Sequence, residues 1–269
     1  MSGWTLRAKQ TPALRVDLRG VTPLALATLS SAEVERVEIG YGNALAPLAE
    51  FFHVEARDDD TLLFAADLAR FDRVGWQMDG GRLLVDGDVG DYAGGGMRSG
   101  SVSVRGTAGA LAACEMSGGN LTIGGDVGDF GASTLPGSMD GMRGGTLVVH
   151  GHAGARFGDR MRRGTAVVFG DAGDFLASRL VAGTIAVGGH VGVHCGYGMR
   201  RGSVVFAGTA PASSPTFVPA IAAAPVFWQL LARDLARHGG VFAELPARRI
   251  ERHLGDLAAD GKGELIVAR

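Results

Sequence analysis

Three residues that can bind a metal ion or carry a proton, His152, Asp171 and His190, follow one another at intervals of 19 residues. If residues 19 apart are neighbours in the fold, these imidazole and carboxylate groups form a column with about 5 Å between successive side chains. Such a column is one way to build a metal site or a proton-transfer site. The equivalent positions of other repeats hold Asp88, Thr107 and Asp126. Because that composition is also typical of a solvated turn, both interpretations are open.

Arginine is the second residue type that recurs with this spacing. The set comprises Arg98, Arg143, Arg162, Arg163, Arg200 and Arg201. Stacked guanidinium groups repel each other unless carboxylates or another anion lie nearby. The chain itself offers carboxylates, in columns formed by Asp88, Asp91, Asp126, Asp129, Asp171 and Asp174. The arginines therefore either pair with these aspartates or bind an acidic partner surface or a polyanionic ligand tail.

A repeat in the middle of the chain must position these side chains. It is marked by Met78, Met97, Met116, Met142, Met161, Leu180 and Met199, which are 19 residues apart except for one interval of 26 around Pro136 to Met139. Counting these residues as position 1, glycine occupies positions 4 and 10 in all seven repeats and position 13 in six. Positions 6 and 8 are aliphatic in nearly every repeat, and this alternation predicts a short, half-buried strand.

A strand this short cannot bury its apolar face alone, so the repeats must stack. Nineteen residues make a coil of roughly 60 Å, which is the size of a solenoid turn, and successive coils then pair in parallel. The crossover rule makes such a coil right-handed. The sequence therefore predicts a mainly β protein, a right-handed parallel β-helix of about eight coils, with a degenerate first coil at Leu62–Leu68. Glycine is expected where the chain adopts positive φ or approaches its neighbour closely.

The flanks predict two further units. Residues 1–58 form a small α/β cap with a strand at Leu14–Leu18, a helix that starts at the capping box of Ser30 and Glu33, and a strand at Val37–Asn43. Residues 59–210 form the β-helix. Residues 211–269 form a C-terminal helical extension, in which an amphipathic helix from Pro225 covers an end or a side of the solenoid. The last segment, Leu265–Val267, is expected to pair with another strand, and another chain is one candidate for it.

The composition excludes several classes of protein. A net charge of -2 gives no electrostatic drive toward nucleic acid, and no apolar run is long enough for a membrane span. Cys114 and Cys195 fall four coils apart, roughly 19 Å, which is too far for a disulfide. Two free cysteines indicate a cytoplasmic protein. No phosphate-binding loop, nucleophile elbow or Cys-x-x-Cys motif is present.

The repeat, as seen in Met78–Gly90, resembles the right-handed β-helix shared by the C-terminal domain of the large glutamate synthase polypeptide and the C subunit of formylmethanofuran dehydrogenase. The glutamate synthase domain belongs to a far larger chain. The flanking segments look like the formylmethanofuran dehydrogenase family, and specifically like its bacterial branch, the C subunit of the formyltransferase/hydrolase complex of methylotrophs. These segments are Ile39–Asn43, Asp67–Gly75, Val226–Leu231 and Arg252–Leu257.

The resemblance implies a role in one-carbon metabolism. In that family the complex moves the formyl group of formyl-tetrahydromethanopterin to a methanofuran-type carrier and releases formate during formaldehyde oxidation. The resemblance places the metal and the catalytic sites on hydrolase and formyltransferase subunits, so this chain is expected to be a scaffold with no catalytic residue, metal or cofactor of its own. The arginines become candidates for binding a carrier with a glutamate-rich tail.

Two alternatives are kept. One is a stand-alone, glutamate-synthase-like assembly module for an amidotransferase. The other is a solenoid enzyme with its own site on the column of His152, Asp171 and His190.

Overall fold

The computed structural model of the protein describes residues 3–212, 214–220 and 225–269. Short elements precede the repeats. They are β1 (Gly3–Ala8), β2 (Val16–Asp17), α1 (Pro23–Leu26), α2 (Ser31–Glu35), β3 (Glu38–Tyr41), β4 (Ala44–Pro47), β5 (Phe52–Arg57), β6 (Thr61–Ala65) and β7 (Phe71–Asp72). The predicted capping box is confirmed, because the Glu33 carboxylate accepts a hydrogen bond from the Ser30 backbone N–H at 2.7 Å.

The two strands predicted in the cap are present but short. The strand at Leu14–Leu18 is reduced to β2, and the strand at Val37–Asn43 is β3. Together with β4 and β7 they form a four-stranded sheet in the order β4-β3-β2-β7. β1 instead joins the large sheet of the molecule, where it pairs antiparallel with β5 and parallel with β6.

The repeats supply one strand each. These strands are β8 (Asp79–Val85), β9 (Ser99–Val104), β10 (Ser117–Ile123), β11 (Arg143–Val149), β12 (Arg163–Val168), β13 (Thr184–Val187) and β14 (Ser203–Phe206). Each strand pairs in parallel with the next, so that equivalent positions of successive repeats lie side by side: Leu83 is opposite Val102, which is opposite Leu121. The predicted parallel ladder is therefore confirmed.

A second ladder runs beside the first at position 12 of the repeat. Isolated parallel bridges join Leu68 to Val89, Val89 to Ala108 and so on as far as Val191. β6 also pairs in parallel with β8, so the segment predicted as a degenerate first coil does continue both ladders. The methionines at position 1 point into the interior between the ladders, and Met97 and Met116 are fully buried.

Glycine serves two different needs in the repeat. At position 4 the backbone has positive φ, for example +84° at Gly100. At position 10 the need is close approach: a Cβ atom built on Gly106 would lie 2.1 Å from a carboxylate oxygen of Asp88 in the preceding coil. Positive φ also occurs at many residues that are not glycine, among them Tyr92 and Phe130 at 65° and 60°. The glycine pattern gave no sign of those.

The C-terminal part adds the last three strands at one end of the large sheet and covers one side of that sheet. Its elements are β15 (Val218–Pro219), α3 (Pro225–Ala236), β16 (Ile250–Gly255) and β17 (Gly263–Ala268). β17 pairs in parallel with β14 and antiparallel with β16, so Leu265–Val267 pairs within its own chain and the suggested pairing with another chain is wrong. The sheet has thirteen strands in the order β15-β16-β17-β14-β13-β12-β11-β10-β9-β8-β6-β1-β5. Residues 221–224 of the predicted extension lie outside the described residues.

The predicted amphipathic helix is α3, and it covers a side of the large sheet. Trp228, Ala232 and Leu235 of α3 are buried in a second apolar cluster. The sheet contributes its outward-facing residues of the last strands to this cluster, namely Val167, Ala186, Val205 and Ile266. None of the helices among the described residues is long and apolar enough to cross a membrane.

Candidate functional site

Five of the six arginines in the predicted set line one cavity of about 560 Å³. They are Arg143, Arg162, Arg163, Arg200 and Arg201, and the remaining wall is formed by Val181 and Ala182. These arginines stand at positions 2 and 3 of their repeats, where Arg143 and Arg163 begin β11 and β12 and the other three lie just before a strand. The parallel register places Arg143 next to Arg163. Arg98, two coils before Arg143, does not line the cavity.

The arginines of this cavity are almost without acidic neighbours. Arg162 forms one ion pair, from its Nε to Oδ1 of Asp140 at 2.5 Å. Among the residues that the structure describes, the other four have no carboxylate oxygen within 4.0 Å of a guanidinium nitrogen. All five side chains belong to exposed residues. Five guanidinium groups around one cavity and a single carboxylate produce a strongly positive surface that favours anions with several carboxylate or phosphate groups.

The aspartate columns do not pair with these arginines, and that prediction is wrong. Each aspartate accepts a hydrogen bond from a backbone N–H of the next coil, as Asp88 does from Thr107 at 2.7 Å. The other pairs, with distances of 2.7 to 2.9 Å, are Asp91 with Ala110, Asp126 with His152, Asp129 with Ala155, Asp171 with His190 and Asp174 with Val193. The carboxylates therefore reach along the stack to the next coil instead of around the coil to the arginines.

The predicted column of His152, Asp171 and His190 is present as a set of neighbours. The distance from His152 Nδ1 to Asp171 Oδ2 is 3.4 Å, and that from His190 Nδ1 to Asp171 Oδ1 is 3.6 Å. All three side chains are exposed. The structure uses the column to hold backbone: the Asp171 N–H donates to His152 Nδ1 at 2.9 Å, and the His190 N–H donates to Asp171 Oδ1 at 2.7 Å.

The backbone hydrogen bond from His190 lowers the pKa of Asp171 below its usual range. In the part of the chain that the structure describes, no group of three His, Cys, Asp or Glu side chains is placed to hold a metal ion. His152 and Asp171 thus each accept a hydrogen bond from a backbone N–H of the next coil, which is a structural role.

A buried ion pair was missed by the sequence reasoning. Asp159 is only 3% exposed, and its carboxylate accepts two hydrogen bonds from Arg179, at 2.9 and 2.6 Å, and one from the Ser178 hydroxyl. The pair lines a cavity of about 360 Å³ beside the insertion, together with Leu135 and Pro136. The sequence did contain a signal for this pair: Asp159 is at position 18 of its repeat, where the two neighbouring repeats have the small residues Ser133 and Ser178.

Rings and guanidinium groups, most of them half-buried, form a second feature at position 15. The Arg156 guanidinium lies 4.6 Å from the ring centre of Phe175 and 5.9 Å from that of Phe130. Arg73 lies in the same way over Tyr92, at 4.7 Å. These contacts are cation–π interactions, which stabilise a surface and are also frequent in protein interfaces.

Comparison with known proteins gives matches over the whole chain and over part of it. A chain in the crystal structure of the formyltransferase/hydrolase complex (FhcABCD) from Methylorubrum extorquens, solved in complex with methylofuran, has a TM-score of 0.92 and 41% sequence identity to this chain. The match covers 98% of this chain and 99% of that one. No protein-family model matches the chain.

Curated relatives match in sequence over a shorter range. The C subunit of the formyltransferase/hydrolase complex Fhc of Methylorubrum extorquens is 44% identical over 86 residues, which is 32% of each chain. The C subunit of the tungsten-containing formylmethanofuran dehydrogenase 2 of Methanothermobacter marburgensis is 31% identical over 101 residues, 36% of this chain and 37% of the relative.

The matched sequence thus spans about a third of the length of these relatives, whereas the similarity to the solved structure extends from end to end. The fold is mainly β, with a large sheet that is mostly parallel and few helices, as the resemblance implied. This chain belongs to the family that comprises the C subunits of the formyltransferase/hydrolase complex and of formylmethanofuran dehydrogenase.

Proposed function

We propose that this chain is a cytoplasmic scaffold subunit of a formyltransferase/hydrolase complex. The complex would move the formyl group of formyl-tetrahydromethanopterin to a methanofuran-type carrier and release formate, as part of formaldehyde oxidation in one-carbon metabolism. The observation that carries the proposal is the similarity over nearly the whole chain to a chain of the FhcABCD structure. The partners are then a hydrolase subunit and a formyltransferase subunit, which hold the metal and the catalytic residues.

The chemistry of this chain supports a role without catalysis. Burial raises the pKa of the Cys114 and Cys195 thiols to about 12, which leaves almost no thiolate to act as a nucleophile at neutral pH. The exposed column of His152, Asp171 and His190 is engaged with backbone groups of neighbouring coils. The aspartates at the other turns have the same structural role.

The scaffold is, in this proposal, a right-handed β-helix of about eight coils. The two parallel ladders at positions 4–8 and 12 support it, because both advance by one repeat at each step. We assign residues 59–210 to the β-helix, residues 1–58 to the cap and residues 211–269 to the C-terminal extension. Stacked coils joined along two ladders give a stiff surface on which catalytic subunits can be held at fixed distances.

The arginine-lined cavity is the part of the scaffold that we propose to bind acidic groups. Its five arginines, of which Arg162 is paired with Asp140, fit either an acidic surface of a partner subunit or a glutamate-rich tail on the carrier. Both ligands present several carboxylates, which arginine binds in a bidentate manner. Arg98 lies outside the cavity, so we assign it no part in this binding.

The test of the scaffold role is purification of the tagged full-length chain from its native host, followed by identification of the proteins that accompany it. Hydrolase and formyltransferase subunits, together with release of formate from formyl-tetrahydromethanopterin, are the expected result. A flavin-containing glutamate synthase subunit in their place would overturn the proposal in favour of an amidotransferase module.

A second arm addresses catalysis by this chain itself. The isolated chain should release no formate, and His152→Ala should leave the activity of the assembled complex unchanged. Activity of the isolated chain that is lost in His152→Ala would overturn the scaffold role. Thr107→Ala, in the same column two coils before His152, is the matched control, since the structure gives Thr107 no neighbouring histidine.

A further inference from the structure

The ladder at position 12 stops at Val191 although the chain continues. In the coils from Val89 to Ala172, the position-12 N–H donates to the next coil and the position-12 carbonyl accepts from it. For Ala172 the partners are the His190 carbonyl at 2.8 Å and the Gly192 N–H at 2.9 Å. Within the described part of the chain, neither the N–H nor the carbonyl of Val191 has such a partner in the following coil.

Pro211 explains why the ladder ends there. It stands at position 13, where the six preceding repeats have glycine, and it has no N–H to donate to the Val191 carbonyl. The next backbone donor along the same edge, the N–H of His194, also differs from its equivalents in earlier coils. The Phe175 N–H donates to the Val193 carbonyl at 2.9 Å, whereas the equivalent N–H of His194 has no acceptor among the described residues.

The space that a further coil would fill is a cavity of about 540 Å³, which we call the terminal groove. Its lining includes Val191, Val193, His194 and Tyr197 of the last regular coil, and Pro211, Pro215, Phe217 and Asp256 of the chain that follows. Val193 is 59% exposed and Tyr197 is 61% exposed, so both present apolar surface to whatever enters.

One donor at this end of the stack is satisfied from within the chain. The Asp256 carboxylate accepts a hydrogen bond from the Gly198 N–H at 3.0 Å, in the place where earlier coils use a backbone carbonyl. For comparison, the Arg179 N–H donates to the Tyr197 carbonyl. Asp256 thus takes the place of a further coil at Gly198, whereas residues 3–212, 214–220 and 225–269 provide no such partner for the bridge position at Val191 or for the His194 N–H.

The charges around the terminal groove restrict what it can accept. Its described lining residues include two carboxylates, Asp174 and Asp256, and no lysine or arginine. Both carboxylates already hold backbone N–H groups of this chain, at Val193 and Gly198. An acidic ligand would bring a further negative charge next to them, so a neutral or basic ligand is favoured. The arginine-lined cavity has the opposite preference.

We propose that the terminal groove binds an extended, apolar, non-acidic segment of another protein chain. Carbonyl oxygens three residues apart in that segment would accept from the N–H groups of Val191 and His194. An N–H between them would donate to the Val191 carbonyl, which completes one more parallel bridge. This is recognition by strand addition, in which main-chain hydrogen bonds give affinity and apolar pockets select side chains. This proposal goes beyond the scaffold role, because it does not depend on which reaction the partner catalyses.

Amide hydrogen exchange tests the hydrogen bonds directly. It compares the full-length chain purified with its partners and the same chain alone. The amides of Val191 and His194 should exchange at least about tenfold more slowly in the assembly, because hydrogen bonding to a partner protects an amide from exchange. The amides of Ala172 and Phe175, which are bonded within the chain, should be protected in both samples.

Two matched variants connect this protection to the groove. Val193→Arg places a bulky cation on its wall, whereas Val226→Arg makes the same change on α3, at a residue that is 73% exposed. Because both valines are exposed, neither change should disturb folding. Val193→Arg should abolish the added protection at Val191 and His194, and Val226→Arg should leave it unchanged.

A photo-crosslinking residue in place of Tyr197, activated in intact cells of the native host, identifies the occupant. The expected product is one crosslink to a non-acidic segment of a different chain. Four results would overturn the proposal: unchanged exchange in an assembly that contains partner chains, no crosslink to another protein, a crosslink to a second copy of this chain, or a crosslink to an acidic segment. Identification of the co-purifying proteins by mass spectrometry tests the scaffold proposal independently of the terminal groove.

Discussion

The carboxylate of Asp88 occupies the space that a side chain at Gly106 would need. A Cβ atom on Gly106 would lie 2.1 Å from Asp88 Oδ1, the oxygen that accepts the Thr107 N–H at 2.7 Å. The same relationship, with distances of 2.1 to 2.3 Å, joins Asp91 to Gly109, Asp126 to Gly151, Asp129 to Gly154, Asp171 to Gly189 and Asp174 to Gly192. Each aspartate therefore joins its coil to the next, and the glycine beside it leaves room both for the carboxylate and for the backbone of the preceding coil, since a Cβ atom on Gly106 would also lie 2.8 Å from the Gly87 carbonyl carbon.

Gly106→Ala should lower the free energy of unfolding by about 1–3 kcal/mol, the usual cost of forcing extra atoms into a packed region. Urea unfolding followed by circular dichroism measures it. Asp88→Ala alone should cost about 1 kcal/mol, because one hydrogen bond to a backbone N–H is lost.

In the double variant, Gly106→Ala with Asp88→Ala, the new methyl group no longer meets the carboxylate. The loss should then be smaller than the sum of the two single losses. A strictly additive loss would show that Asp88 and Gly106 are not coupled.

Arg179→Ala should destabilise the chain by about 2–3 kcal/mol, because it leaves the buried Asp159 carboxylate without its two guanidinium hydrogen bonds. The double variant Asp159→Ala with Arg179→Ala should be more stable than Arg179→Ala alone, since no buried charge remains.

The control for this experiment is Arg237→Ala, which breaks an exposed ion pair with Asp234 and should change stability by less than about 0.5 kcal/mol. Thermal and urea unfolding of all three variants measure these changes in the free energy of unfolding. Equal losses for Arg179→Ala and Arg237→Ala would contradict the structural role of the buried pair.

Cys114 and Cys195 should react with a thiol reagent at pH 8 at least about a hundredfold more slowly in the folded chain than in denaturant. The reason is that burial raises the pKa of each thiol from 9.0 to about 12. Both cysteines are free, as the coil spacing predicted. Fast modification of the folded chain at pH 8 would show that the thiols are accessible.

The same shift has a consequence at alkaline pH. Between pH 9 and pH 12 the unfolded chain loses both thiol protons while the folded chain keeps them, so the free energy of unfolding should fall as the pH rises through this range. Below pH 9 the thiols contribute no pH dependence. The variant Cys114→Ala with Cys195→Ala should show a shallower decline than the original chain, whereas parallel curves would contradict the assignment.

Arg162→Glu combined with Arg163→Glu should weaken binding of an acidic ligand to the arginine-lined cavity by at least about tenfold, because two of five positive charges are reversed. Poly-L-glutamate is a suitable probe, with calorimetry as the readout. Binding to the original chain should also weaken as salt rises from about 50 to 300 mM, since exposed charges are screened.

The matched control for the arginines is Arg82→Glu with Arg105→Glu, which reverses two exposed charges outside the cavity. It should retain binding. If both double variants bind poly-L-glutamate equally, or if Arg162→Glu with Arg163→Glu leaves assembly and activity of the native complex unchanged, the cavity has no part in docking.

Much of this architecture could be derived from the sequence because the repeat is a one-dimensional pattern. A fixed interval of 19 residues dictates which residues are neighbours, so the ladder of Leu83, Val102 and Leu121 follows directly from counting. The column of His152, Asp171 and His190 could be placed in the same way. Separation along the stack likewise established that the two cysteines cannot meet.

What counting could not establish is the direction of each side chain around a coil. It placed aspartates and arginines in separate columns and allowed them to pair, whereas the carboxylates accept hydrogen bonds from backbone N–H groups of the next coil and leave the arginines around a cavity. Nor could it reveal the positive φ of Tyr92, because no glycine marks this position and the conformation occurs within the folded coil, where the Tyr92 N–H donates to the Ala110 carbonyl at 2.8 Å.

The sequence by itself thus determined the period, the parallel pairing of the coils and the glycine positions, since all three depend on spacing and on the absence of a Cβ atom. The tertiary structure alone decided where the pattern ends and what is left exposed there. Pro211 is one substitution in a glycine column. Its consequence is a bridge position at Val191 that has no partner among the residues the structure describes, in a cavity that Phe217 and Asp256 also line, and only the folded chain brings these residues together.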